Sequence, residues 1–156
     1  MFTHTGPRRG DVFAESTFAK QIALAELSNE PKSIKVGNLD SLRTWADVRD
    51  AVRAYYLLLT KDPIPGSVYN IGGNFTATIR EMLEFLISKS TASSRLSIEV
   101  EKKRVRPLDA DLQIPDVTRF TQHTGWQPEF TFAETMMDLL EYWRTKISNS
   151  TPILDR

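Results

Sequence analysis

Short strand-like runs alternate with amphipathic helical stretches along almost the whole chain. This alternation confines it to the α/β class, with at least part of its sheet parallel. Residues 2–6, 33–37 and 96–102 read as strands, and "SVYNIGG" (67–73) as a strand running into glycines. Helices are predicted over 14–28, 46–60, 78–89, 117–124 and 132–147. Phe18, Ile22 and Ala25 share a face of the first. Val48, Val52, Tyr55, Tyr56 and Leu59 share one of the second, and Ile79, Met82, Leu83 and Leu86 one of the third. Phe132, Met136, Leu139, Leu140 and Trp143 line the last. Thr44 with Asp47, Thr78 with Glu81 and Thr131 with Glu134 resemble capping boxes, Asp116 can cap the fourth helix, and Gly125 stops it. "NLDSLRTW" (38–45) reads as a loop, and the polar tail from Ser148 as flexible, so the folded unit is expected over 1–147.

The length of 156 residues fits one domain. Twenty basic and twenty acidic residues cancel, so no overall field draws the chain to nucleic acid or membrane. The absence of cysteine excludes disulfides, zinc–cysteine sites and a thiol nucleophile, and fits a cytoplasmic protein. No apolar run approaches the ~20 residues a membrane span needs, and no signal-peptide core stands at the start. The chain opens abruptly on apolar Phe2, as expected of a piece cut from a larger fold.

Few residues suggest chemistry. His123 precedes Gly125 at a helix end, where its charge suits the helix dipole. His4 lies where a strand gives way to a loop, a better place for function, but no serine or paired carboxylate stands beside it in sequence. Metal-ligand spacing is absent. Arginines stand at three loops next to element ends: Arg8-Arg9, Arg43 and Arg106. Guanidinium forks suit phosphate oxygens, so three such loops could converge on a diphosphate; solvated charge is the plainer alternative. The chain lacks Gly-x-Gly-x-x-Gly, and its one Tyr-x-x-x-Lys match, Tyr142–Lys146, reads as surface spacing. "KKRVR" has no flanking aromatics to make it a nucleic-acid site.

In order, "FTHTGPRRG", "FAKQIA", "IKVGNLDSLRTWADVRDAVRAYYLLL", "GSVYNIGG", "TIREML", "RPLDADLQIPDVTRF" and "TGWQPEFTFAETMMDLLEYWR" resemble the C-terminal half of extended short-chain dehydrogenase/reductases that act on nucleotide sugars. The likeness is to GDP-mannose 4,6-dehydratases and GDP-4-keto-6-deoxymannose reductases, and it spans about residues 2–146. It implies the last Rossmann strands plus a small mixed α/β substrate-binding subdomain. It also implies that NADP or NAD and the catalytic groups belong to a separate N-terminal Rossmann half, so that no cofactor is bound by this chain alone.

The resemblance further implies that His4 lies near the sugar and nicotinamide, and that the segment from Val12 through Phe13 and Thr17 to Phe18 forms a lid. Gly37 and Asn38 would flank the base, and Arg43 and Arg106 would hold phosphate or ribose. Arg8 and Arg9 match the "PRRG" of the dehydratases; "FAKQIA" and "DVRDAVRAYYLLL" lean toward the reductases. Thr3 stands where the family usually has asparagine. Asp47 and Arg49 would brace the segment carrying Arg43. The expected partners are a GDP-sugar, the Rossmann half and a further copy of the chain, because unpaired strand edges favour association. A non-catalytic nucleotide-sugar binding module is the reading from a different class, and an unrelated interaction domain a third.

Overall fold

The computed structural model describes residues 1–105 and 112–150, and its central element is a strand, β3 (Leu42–Asp47), where the sequence suggests a loop. Around it stand β1 (His4–Thr5), α1 (Ala14–Glu26), β2 (Lys32–Val36), α2 (Val48–Thr60), β4 (Phe75–Thr78), α3 (Ile79–Ser88), β5 (Leu96–Val100), β6 (Leu112–Gln113), α4 (Thr118–Thr124) and α5 (Phe132–Ser150). Strand β3 pairs parallel with β1 (His4 opposite Ala46), parallel with β6 (Arg43 opposite Gln113) and antiparallel with β4 (Leu42 opposite Thr78). A second, two-stranded parallel sheet joins β2 to β5, Lys32 opposite Leu96 through Val36 opposite Val100.

The loop-like look of 38–45 comes from polar residues that β3 buries and satisfies. The Thr44 and Thr76 hydroxyls meet at 3.2 Å, and the Trp45 indole donates to the Ala77 carbonyl at 3.2 Å. The reverse holds for "SVYNI": 67–71 forms no strand, and it meets the chain start through the Phe2 amide, which donates to the Ile71 carbonyl at 2.8 Å.

Two of the three expected capping boxes form. Thr78 and Glu81 form a full capping box on α3, and Thr131 with Glu134 makes the same reciprocal bonds ahead of α5. Asp116 accepts from the Thr118 amide at 2.9 Å, and α4 ends on Gly125 in the left-handed region, φ 72°. The expected Thr44–Asp47 box does not form, because Thr44 is a strand residue; Asp47 itself caps α2 through the Arg49 amide. Helix α5 continues to Ser150, past the expected boundary at 147.

The main core lies between α1, α3, α5 and the strands. It gathers Phe18, Ile22, Ile34, Val36, Trp45, Met82, Leu83, Leu86, Met136, Leu139, Leu140 and Trp143. A smaller cluster, Ala54, Ile71, Phe120 and Trp126, sits under α2. Helix α2 buries Asp50, Ala51 and Ala54 and turns its apolar stripe outward, leaving Val52, Tyr56 and Leu59 60–78% exposed. Among the described residues no helix is long and apolar enough to cross a membrane.

Asp47 locks the end of β3 in place. Its carboxylate accepts from the Arg49 amide (2.7 Å), from the Arg49 guanidinium (2.8 Å) and from the Thr135 hydroxyl on α5 (2.7 Å). Burial alone would raise this carboxyl, but the Arg49 and Thr135 hydrogen bonds outweigh it and hold the group below its ordinary value of 3.8. A depressed folded value means stability that is present above 3.8 and drains away as the pH falls past it. Acid unfolding of Asp47→Asn should lack this component, and equal acid sensitivity of the two proteins would contradict the assignment.

Candidate functional site

A cleft of about 590 Å³ opens between the β1–α1 loop, the end of β2 and the segment after β5. That volume suits a small-molecule ligand. Of the residues expected to bind, His4, Arg9, Val12, Phe13, Thr17, Gly37, Asn38 and Arg43 all line it. Arg8 does not: it takes a left-handed conformation (φ 71°) and its side chain is exposed outside the cleft. Arg106 lies outside the described residues. The lining further includes Glu15, Lys103 and Arg104, which the sequence reading did not single out. "KKRVR" was the available signal for the last two. Glu15 carries none, since it sits inside a helical run.

The cleft sets four permanent cations, Arg9, Arg43, Lys103 and Arg104, against one carboxylate, Glu15. Arg43 projects from β3, is nearly buried, and donates to the Leu42 carbonyl at 3.1 Å among its contacts. Arg104 is held by Glu101 at 2.6 Å, with Lys103 3.5 Å from the same carboxylate. The Arg104 hydrogen bond, ahead of Lys103, keeps the Glu101 carboxyl below the usual range. Gly37 fits under this segment: a Cβ there would overlap the Arg104 carbonyl oxygen and fall 2.9 Å from its carbon. Its role is therefore close approach between backbones, a reason separate from any contact with a base.

His4 Nδ1 lies 3.1 Å from the Phe2 carbonyl. An oxygen there accepts, so Nδ1 carries the proton and the neutral ring keeps Nε2 as an acceptor. His123 takes no part in the cleft. Its Nδ1 meets the Tyr69 hydroxyl at 2.6 Å and its Nε2 the Asp62 carbonyl at 3.0 Å. Tyr142 and Lys146 meet on the exposed face of α5, at 3.3 Å. Among the described residues no group of three or more His, Cys, Asp or Glu could hold a metal.

Burial pushes the Glu15 carboxyl up, against the opposing pull of Arg9 and Thr5 beside it. The arrangement as a whole suits an anionic ligand with a polar, uncharged portion beside it. It holds neither a nucleophile–base pair nor two facing carboxylates among the described residues.

A sequence model of the family described as GDP-mannose 4,6 dehydratase matches residues 1–139. Similar curated proteins include the GDP-6-deoxy-D-mannose reductase of Pseudomonas aeruginosa, 30% identical over 94% of this chain and 47% of its own length. The human GDP-mannose 4,6 dehydratase is 26% identical over 90% of this chain and 41% of its own. Among solved structures, RMD from Pseudomonas aeruginosa complexed with NADPH superposes with a TM-score of 0.79 at 28% identity, covering 92% of this chain and 46% of that one. The UDP-glucuronic acid 4-epimerase of Bacillus cereus, at 24% identity and a TM-score of 0.76, shares the fold. The chain thus spans less than half the length of these relatives, and its α/β architecture is that of their C-terminal portion.

Proposed function

The chain belongs to the GDP-mannose 4,6 dehydratase family, and on that footing we propose that it is the substrate-binding portion of an NAD(P)-dependent nucleotide-sugar 4,6-dehydratase. The observation that carries the reading is the convergence of Arg9, Arg43, Lys103 and Arg104 on one cleft in a chain of zero net charge. Guanidinium and ammonium groups from three separate segments suit a diphosphate. Gly37 and Asn38 would stand beside the base, and His4 with Val12, Phe13 and Thr17 on the sugar side. A second reading, a GDP-4-keto-6-deoxymannose reductase, is favoured by the 30% identity to the Pseudomonas reductase.

The turn from β1 to α1 reads Gly6-Pro7-Arg8-Arg9-Gly10, which is not the Gly-x-Gly-x-x-Gly fingerprint of a dinucleotide site. The NAD(P) site and the catalytic groups are therefore assigned to the portion of the family fold that this chain does not span. The relatives run to about twice its length, and the outward apolar face of α2 offers that portion a surface.

Titration calorimetry tests the reading. GDP-mannose and GDP should both give saturable heats, and guanosine, which lacks the diphosphate, should give none. A chain that takes up neither GDP-mannose nor GDP at millimolar concentration would overturn the proposal.

A further inference from the structure

We propose that Glu15 is the positioning residue for Arg9, presetting its guanidinium for the phosphates of the ligand. This rests on the reading of the cleft as a nucleotide-sugar site. Arg9 is held at both ends. Its amide donates to the Gly6 carbonyl at 3.2 Å. Its carbonyl accepts from the Ser16 hydroxyl at 2.7 Å, and that hydroxyl in turn accepts from the Trp143 indole on α5 at 2.9 Å. Its guanidinium lies 3.4 Å from the centre of the Phe13 ring, and its Nε lies 3.3 Å from Glu15 Oε1.

Glu15 is 5% exposed, and both Oε1 and Arg9 Nε are buried without a well-formed hydrogen bond among the described residues. The carboxylate stands against the Nε side of the guanidinium, and Arg9 lines the cleft. Preordering a side chain as long as arginine removes part of the entropy that binding would otherwise cost.

The plainer role for Glu15 is an acid in the first turn of α1, favoured by the helix dipole. The two roles differ in sign. A carboxylate this close to an anion site repels the anion. If Glu15 serves the helix alone, Glu15→Gln should leave GDP binding unchanged or tighter. If it presets Arg9, the same substitution should weaken GDP binding despite removing a negative charge.

The experiment is a double-mutant cycle read by calorimetry with GDP on the native chain, Glu15→Gln, Arg9→Gln and the double variant. The expected result is a loss of about tenfold for Glu15→Gln, with the double variant no weaker than Arg9→Gln alone. Unchanged or tighter binding by Glu15→Gln, or losses that simply add, would overturn the inference. Native binding with an unaffected Glu15→Gln defeats this inference alone, whereas a native chain that binds no GDP defeats the nucleotide-sugar reading and this inference with it. Should Glu15→Gln fail to fold, Glu15→Asp keeps the charge and withdraws it by one methylene. Its GDP affinity should also fall, and native affinity there would count against the proposal.

Discussion

Asp50→Ala is expected to cost about 3–5 kcal/mol of folding stability, as breaking a buried, hydrogen-bonded charge pair does. Asp50 is fully buried in the first turn of α2. Its carboxylate accepts from the Glu129 amide (3.0 and 3.1 Å), from the Phe130 amide (3.1 Å) and from Arg53 (2.9 Å). Its carbonyl accepts from the Trp126 indole at 3.2 Å, and Arg53 also donates to the Gln127 carbonyl. The Asp50 side chain thus pins residues 129–130, in the connection between α4 and α5, onto α2. Alanine would strand the Glu129 and Phe130 amides and leave Arg53 only the Gln127 carbonyl and the Glu129 carboxylate. For a chain of this size the loss corresponds to a fall in Tm on the order of 10 °C. Asp50→Asn, which keeps one acceptor oxygen, should lose less. Thermal and urea unfolding of the three proteins measure the effect, and a loss below about 1 kcal/mol, typical of an exposed pair, would contradict the assignment.

Gly37→Ala is expected to act on ligand binding. The added methyl would overlap the Arg104 carbonyl, so the backbone of 101–105 must move away from the end of β2. Lys103 and Arg104 travel with it, out of the cleft they share with Arg9 and Arg43. Overpacking of this kind costs about 1–3 kcal/mol in stability. The larger consequence is a drop of about tenfold or more in GDP affinity, the equivalent of one charge-assisted contact. Calorimetry and thermal unfolding on the same preparation separate the two effects. A variant that melts lower yet binds GDP with native affinity would mean that the 101–105 segment contributes nothing to the ligand.

Much of the fold is legible in the sequence because its helices carry local signals. Thr78 and Glu81 announce α3, Thr131 and Glu134 announce α5, and Gly125 closes α4, each by chemistry within a few residues. Strand β3 is hidden because its signal is not local: Arg43 and Thr44 look like loop residues until Ala77 and Thr76 of β4 stand opposite them. Val52, Tyr56 and Leu59 keep perfect helical spacing, but periodicity records an apolar face and not what covers it. The cleft divides the same way. His4, Arg9 and Arg43 stand at element ends where site residues gather, whereas Glu15 enters only through the fold of the β1–α1 loop back over α1.

The position of β3 also bears on how the chain reaches this state. Its neighbours come from the first residues of the chain, from the stretch beyond α2, and from past residue 105. No local hairpin can start the sheet, and each pairing must close a long loop before it gains anything. Helices α3 and α5, with their own caps, can form early, but the walls of the cleft meet only once the distant segments have come together around β3. Recovery of nucleotide affinity during refolding should accordingly lag behind recovery of helical signal.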